Sequence, residues 1–279
     1  MSATQIAQNL AYINWTVLAG LALGTYAAVV LLRRRTEATR GYLGFVTACA
    51  IGFGVLAWLS DGALPGTLGA SPVVPDPAFD LPRRVGLAVF TAVALLALLT
   101  RRASPAWADG LEVVALVAGA VTVLAGAIGW GGGPLGAAAL LVHLGVLFAA
   151  TGGVFAAMIL GHWYLVTPRL PEAPLILLSR LLLGVMAIQV GLFVAWVAVG
   201  AGPASAGPFS ALTGPWALFV WLRLIVGLIF PLIVSWAAVQ TARTRSMESA
   251  TGLLYINVGT IAAGTILAAG LYFGAGLLV

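Results

Sequence analysis

Long apolar stretches fill this chain, separated by short runs of arginine, proline and glycine. A helix that crosses the hydrocarbon core of a bilayer needs about 20 predominantly apolar residues. Eight stretches approach or exceed that length, at about 10–32, 41–60, 84–100, 111–130, 135–166, 174–199, 216–240 and 252–279. The pattern predicts an all-α integral membrane protein, a polytopic bundle of about eight transmembrane helices in a single transmembrane domain covering 1–279. The third stretch is short. The fifth would be roughly 48 Å long against a core of about 30 Å, so it is expected to tilt, protrude or bend near Gly152–Gly153. Pro231 should kink the seventh helix, because its missing N–H frees a carbonyl for a neighbour.

Between the stretches lie turn signals. The Pro/Gly-rich run "DGALPGTLGASPVVPDPAFDLPRR" and the later "GAGPASAGPFSALTGP" have no apolar periodicity and read as loops. "GGGP" breaks the chain near its midpoint, which permits a 4+4 division by helix count, although the halves show no convincing internal repeat. Arg33–Arg35 and Arg40, Arg101 and Arg102, Arg169, and Arg243 and Arg245 all fall on one side of the predicted bundle. By the positive-inside rule that side is cytoplasmic, which puts both termini outside. Arg83 and Arg84 fall on the other side, where Asp76 and Asp80 can offset them. Trp58, Trp130 and Trp216 at outer boundaries, and Trp163 and Trp236 at inner ones, fit an aromatic belt.

Composition sharpens this picture. Of 279 residues 62% are hydrophobic and 8% charged, too few charges to cover a water-soluble fold of this size. All 13 basic residues are arginine, which suggests a GC-rich bacterial genome and hence a bacterial inner membrane. The net charge of +5 sits in clusters at helix ends and gives no reason to expect nucleic-acid binding. Cys49 is the sole cysteine, so neither an intrachain disulfide nor a multi-cysteine metal site can form. Gly20 with Gly24, and Gly270 with Gly274, make small-xxx-small pairs that allow helices to approach closely. Packing within the bundle is the simpler use of them; a homo-oligomer seam is the alternative.

Polar groups within lipid are costly and are functional candidates by default. The run "GHWYLVTPRLPEAP" closes the fifth stretch. His162, Trp163 and Tyr164, with Arg180 roughly 9 Å into the next helix, are expected to form one cytoplasmic-side pocket for a quinone-like group. Against this, Arg180 can snorkel to the interface and the aromatics can be belt residues. A second candidate cluster, His143, Arg223, Gln189 and Asn14, lies in the outer half. No acid falls deep in a span, which disfavours a proton-coupled or sodium-coupled pump. The two histidines are roughly 28 Å apart along one straight helix and cannot ligate one iron. Intrinsic haem is therefore not expected unless Met158, Met186 or a partner subunit supplies a ligand. No metal site, nucleophile triad or phosphate loop is recognisable.

These features fit a membrane-embedded subunit of a bacterial respiratory or electron-transfer complex that touches quinone and has no stand-alone catalytic activity. Such a subunit would contact the lipid bilayer and other subunits of its complex. The alternatives are a permease for a small, weakly polar or anionic solute, and a non-catalytic scaffold or assembly factor.

Overall fold

The fold was analysed in a computed structural model, which describes residues 3–69, 71–167, 170–204 and 206–279. It is 82% helical, and no strand occurs among the described residues. Among the described residues, eight helices are long and apolar enough to cross a membrane. The protein is a multi-pass membrane-helix bundle, as the hydropathy pattern predicts.

Helix α1 runs through Ala3–Ala19, a π-helical turn Gly20–Gly24 and Thr25–Arg35. Then come α2 (Arg40–Asp61), α3 (Asp80–Thr100), α4 (Pro105–Trp130), α5 (Pro134–Val166), α6 (Ala173–Val199), α7 (Ala217–Arg243, with a π-helical turn Ile225–Ile229) and α8 (Met247–Ala275). Proline in the first turn of α4, α5 and α6 presets φ where a helix N–H needs no partner. Gly200 and Gly276 end α6 and α8 in the left-handed conformation. The third helix is longer than expected: it begins at Asp80, after a 3₁₀ turn Pro77–Phe79, and takes Arg83 and Arg84 into its first turns. The fifth is one continuous helix of 33 residues that runs through Gly152–Gly153. The eighth stops at Ala275, and residues 276–279 fold back so that the Leu278 N–H donates to the Ala201 carbonyl.

Helices α1 and α5 form the centre, with 72% and 67% of their most apolar windows buried. They cross where Gly24 meets Phe148 and Gly152 backbone to backbone, and the Thr25 hydroxyl donates to the Gly152 carbonyl at 3.2 Å. Without a hydrophobic drive between helices in lipid, such close approach supplies the dispersion that holds the bundle. The half-buried Gly270–Gly274 pair faces α1 at ordinary contact, 3.5 Å from the Ile13 and Asn9 side chains.

The remaining helices pack around this centre. Helices α3 and α4 form the tightest hairpin of the first half, and α7 and α8 that of the second; α4 packs on α5, and α8 packs on both α5 and α1. Gly86 of α3 seats against Ala118 and Thr122 of α4, as Gly227 of α7 seats against Gly264 of α8. Matched by role, the halves share stretches that reading straight along the chain misses. "GTYAAVVLL" at 24–32 parallels "GVFAAMILG" at 153–161. "VGLAVF" at 85–90 parallels "VGLIF" at 226–230, and "TVLAGAIGWG" at 122–131 parallels "TILAAGLYFG" at 265–274.

Arg33–Arg35, Arg40, Arg101, Arg102, Arg243 and Arg245 gather at one end of the bundle, and the Arg245 Nε–Glu172 ion pair (2.9 Å) ties two connectors together there. Arg169, expected at the same end, lies outside the described residues. Both ends of the described chain lie at the opposite end. There the loop after α2 packs back on the helices: Leu68 and Val73 are buried, Tyr12 donates to the Pro65 carbonyl (2.8 Å), and the Asp76 N–H donates to the Gly129 carbonyl (2.7 Å). Trp130, expected in the belt, is instead core. It is 1% exposed, edge-on to Trp15, Tyr12 and Phe273.

Candidate functional site

Three of the four residues of the outer-half cluster are fully buried: His143 on α5, Gln189 on α6 and Arg223 on α7. Arg223 donates from Nη2 to Gln189 Oε1 at 2.7 Å and from Nη1 to the Gly227 carbonyl at 3.1 Å. Gln189 in turn donates to the Val146 carbonyl of α5 at 3.2 Å. The Gly227 carbonyl is available for a local reason. Pro231, four residues on, has no N–H to give it, and the π-helical turn Ile225–Ile229 loosens the ladder around it. So the proline does free a carbonyl, and the arginine of its own helix takes it. Close packing of Gly227 on Gly264 sets the guanidinium against the α7–α8 seam.

His143 packs edge-on to Trp196 of α6, ring centroids 5.1 Å apart. Its Nε2 is buried and has no hydrogen-bond partner among the described residues, and the same holds for Arg223 Nε. Trp196 itself is half-buried. Asn14, the fourth member, does not join. It lies on an exposed flank of α1 and donates to Ser60 of α2 at 3.2 Å.

The charge balance at Arg223 stands out against its counterpart. Arg83 stands three residues before Gly86, much as Arg223 stands four before Gly227, the π-helical turn accounting for an extra residue. Arg83 is also buried, yet two carboxylates neutralise it: Asp61 at 2.7 Å and Asp80 at 2.9 Å. Its guanidinium also lies 4.7 Å from the Trp130 ring centroid. No carboxylate among the described residues pairs with Arg223. An isolated buried charge costs several kcal/mol even after relaxation, and one amide and one carbonyl dipole offset only part of that. Arg83 lies at the end away from the arginine clusters, as the sequence predicts, but not with Asp76 and Asp80 as its two offsets. The ion pair uses Asp80 and Asp61; Asp76 instead accepts from the Ala78 N–H at 3.0 Å.

The other cluster does not assemble. His162 is exposed and meets Tyr255 of α8 at 3.4 Å. Trp163 leans the other way, onto Gly41 and Tyr42 of α2. Tyr164 points inward and donates to the Pro171 carbonyl. Arg180 is exposed, with no ion pair among the described residues, as a snorkelling side chain would be. Consecutive residues on a helix diverge by about 100°, so three in a row cannot all face one pocket. No protein-family model matches this chain, and no curated protein matches it.

Proposed function

We propose that this protein is a membrane-embedded subunit of a bacterial respiratory or electron-transfer complex, and that it holds a quinone headgroup at His143, Gln189 and Arg223. The observation that carries the reading is Arg223, a buried cation answered by dipoles rather than by a carboxylate, in the same half of the bundle as a buried histidine whose Nε2 is unpartnered. A quinone headgroup brings two oxygens that gain electrons and protons. Arg223 supplies a fixed positive charge where negative charge builds, which is worth more in a water-poor site than at a surface. His143 supplies a nitrogen that can give or take a proton at one oxygen. Gln189 holds the guanidinium in place. Trp196 offers an aromatic wall at the lipid side, where an apolar tail would enter.

In this reading the bundle lies in the bacterial inner membrane with its arginine-rich end in the cytoplasm. The same uncompensated charge would draw a small anion through a permease, so the test has two arms. Purified protein is titrated with a short-tail quinone analogue, read by tryptophan fluorescence, and protein in liposomes is assayed for anion uptake. We expect saturable quenching that His143→Phe abolishes, with no uptake. Uptake without quinone binding would favour the permease.

A further inference from the structure

At the arginine-rich end, between the last turns of α1 and α3 and the first of α2, lies a cavity of about 800 Å³. Four arginines line it: Arg33, Arg40, Arg101 and Arg102. Two of these are anchored. Glu112 of α4, only 1% exposed, pairs with both Arg33 and Arg101. Asp109, one turn earlier on α4, holds Arg101 from the other side at 2.6 Å. Arg40 and Arg102 have no carboxylate partner among the described residues, and Arg101 Nε is buried without a hydrogen bond. Glu37, in the connector before α2, is exposed and outside the lining. The lining therefore carries four positive charges and no carboxylate of its own, behind which two acids fix the geometry.

The remaining walls are apolar or bare. Leu43 and Leu98 form the side toward the membrane interior, and Gly44 leaves open space where a side chain would stand. Beyond them, Phe45 of α2 and Leu95 and Leu99 of α3 are exposed on the outer surface of a bundle that lies in lipid. The cavity is thus at headgroup depth, cationic at its mouth and apolar at its floor. Planar guanidinium forks match the paired oxygens of a phosphate, and basic pockets between helix ends are where anionic headgroups settle. The volume, at the upper end of small-molecule sites, exceeds what a single phosphate fills.

We propose that this pocket is a binding site for a phosphate-bearing group, either the headgroup of an anionic phospholipid or a free phosphorylated solute. It is separate from the His143–Arg223 site and does not depend on how that site is read. Glu112 and Asp109 act as positioning residues that hold Arg33 and Arg101 in place, while Arg40 and Arg102 close on the ligand.

The test uses the full chain purified in a mild detergent. One arm measures retention of phosphatidylglycerol and cardiolipin against phosphatidylcholine by native mass spectrometry and by melting shift. The other titrates inorganic pyrophosphate by calorimetry. The variant is Arg40→Gln with Arg102→Gln, since neither holds a partner whose loss would unfold the bundle. The control is Arg34→Gln with Arg35→Gln, exposed at the same end but outside the lining. At about 1 kcal/mol per arginine near an anionic surface, the double variant should bind roughly 30-fold more weakly and the control almost normally. Selective lipid retention lost in the double variant supports the site with lipid as its occupant; pyrophosphate binding lost in the same way supports it with a solute. No binding in either arm, or an equal loss in the control, overturns the proposal.

Discussion

A methyl group at Gly152 should pull the centre of the bundle apart, while the same change at Gly153 should do nothing harmful. An alanine Cβ at 152 would lie 2.0 Å from the Thr25 backbone nitrogen and 2.5 Å from Gly24 Cα, against ordinary contact at 3.4 Å or more. Backbone faces backbone there, so no side-chain rotation relieves the clash and α1 must back off α5 by more than an ångström. That separation also breaks the Thr25–Gly152 hydrogen bond and loosens the α1–α5 crossing. Overpacking of this kind costs about 1–3 kcal/mol, and an all-backbone clash belongs at or above the top of that range. For a chain of this length, 3 kcal/mol lowers the melting temperature by roughly 6–12 °C. Nothing lies within 4 Å of the Cβ position at Gly153, so Gly153→Ala should be neutral or stabilising by up to about 1 kcal/mol through helix propensity. The chain carries its own reporter. Cys49, the sole cysteine, is partly buried on α2, and a thiol-reactive dye reads its unmasking as the bundle opens. Equal melting temperatures for Gly152→Ala and Gly153→Ala would refute the α1–α5 crossing.

Asp61→Asn leaves Arg83 with only Asp80, itself half-exposed, and should cost about 3 kcal/mol in the same melting assay; an unchanged melt would mean the buried pair carries no weight. His162→Ala and Arg180→Leu should leave both melting and quinone-analogue binding unchanged, because each side chain is exposed; loss of binding in either would restore the pocket they were expected to form. In a Cys49→Ala background, Val74→Cys should react with an impermeant thiol reagent in intact cells and Thr244→Cys should not. Both positions are exposed at opposite ends of the bundle, and labelling at 244 alone would reverse the orientation.

Runs of apolar residues are a strong signal because lipid forces every backbone group into a helix, and the eight spans are legible on that account. Their ends are less so. Asp80 and Arg83 read as loop because charge normally stays out of lipid, whereas here Arg83 and Asp61 neutralise each other inside the bundle. The outer-half cluster was visible as His143, Gln189 and Arg223 in three apolar stretches, but hydropathy carries no information about which helix faces which. Asn14 looked equally good and turned to the flank. The "HWY" run looked better than it is, since proximity along a helix places side chains on different faces. Trp130 passed for a belt residue because a tryptophan near a helix end looks the same from sequence whether it faces lipid or, as here, Trp15 and Arg83. The contrast between a neutralised Arg83 and a bare Arg223 needed the packing, which alone shows that Asp61 reaches the one and that no carboxylate reaches the other.

The most direct test of the central claim is titration of a water-soluble short-tail quinone analogue into the purified protein and its Arg223→Gln variant, with a melting curve for each. Gln keeps hydrogen-bonding capacity and removes the charge. A hydrogen bond from a charged donor is worth about 1.5–3 kcal/mol, so binding should weaken roughly 10- to 150-fold. Melting should hold or rise, because an unpaired buried cation has been removed. Equal affinity in the two proteins, or a variant that melts well below the parent, would mean that Arg223 is a structural residue and that the site is not where quinone binds.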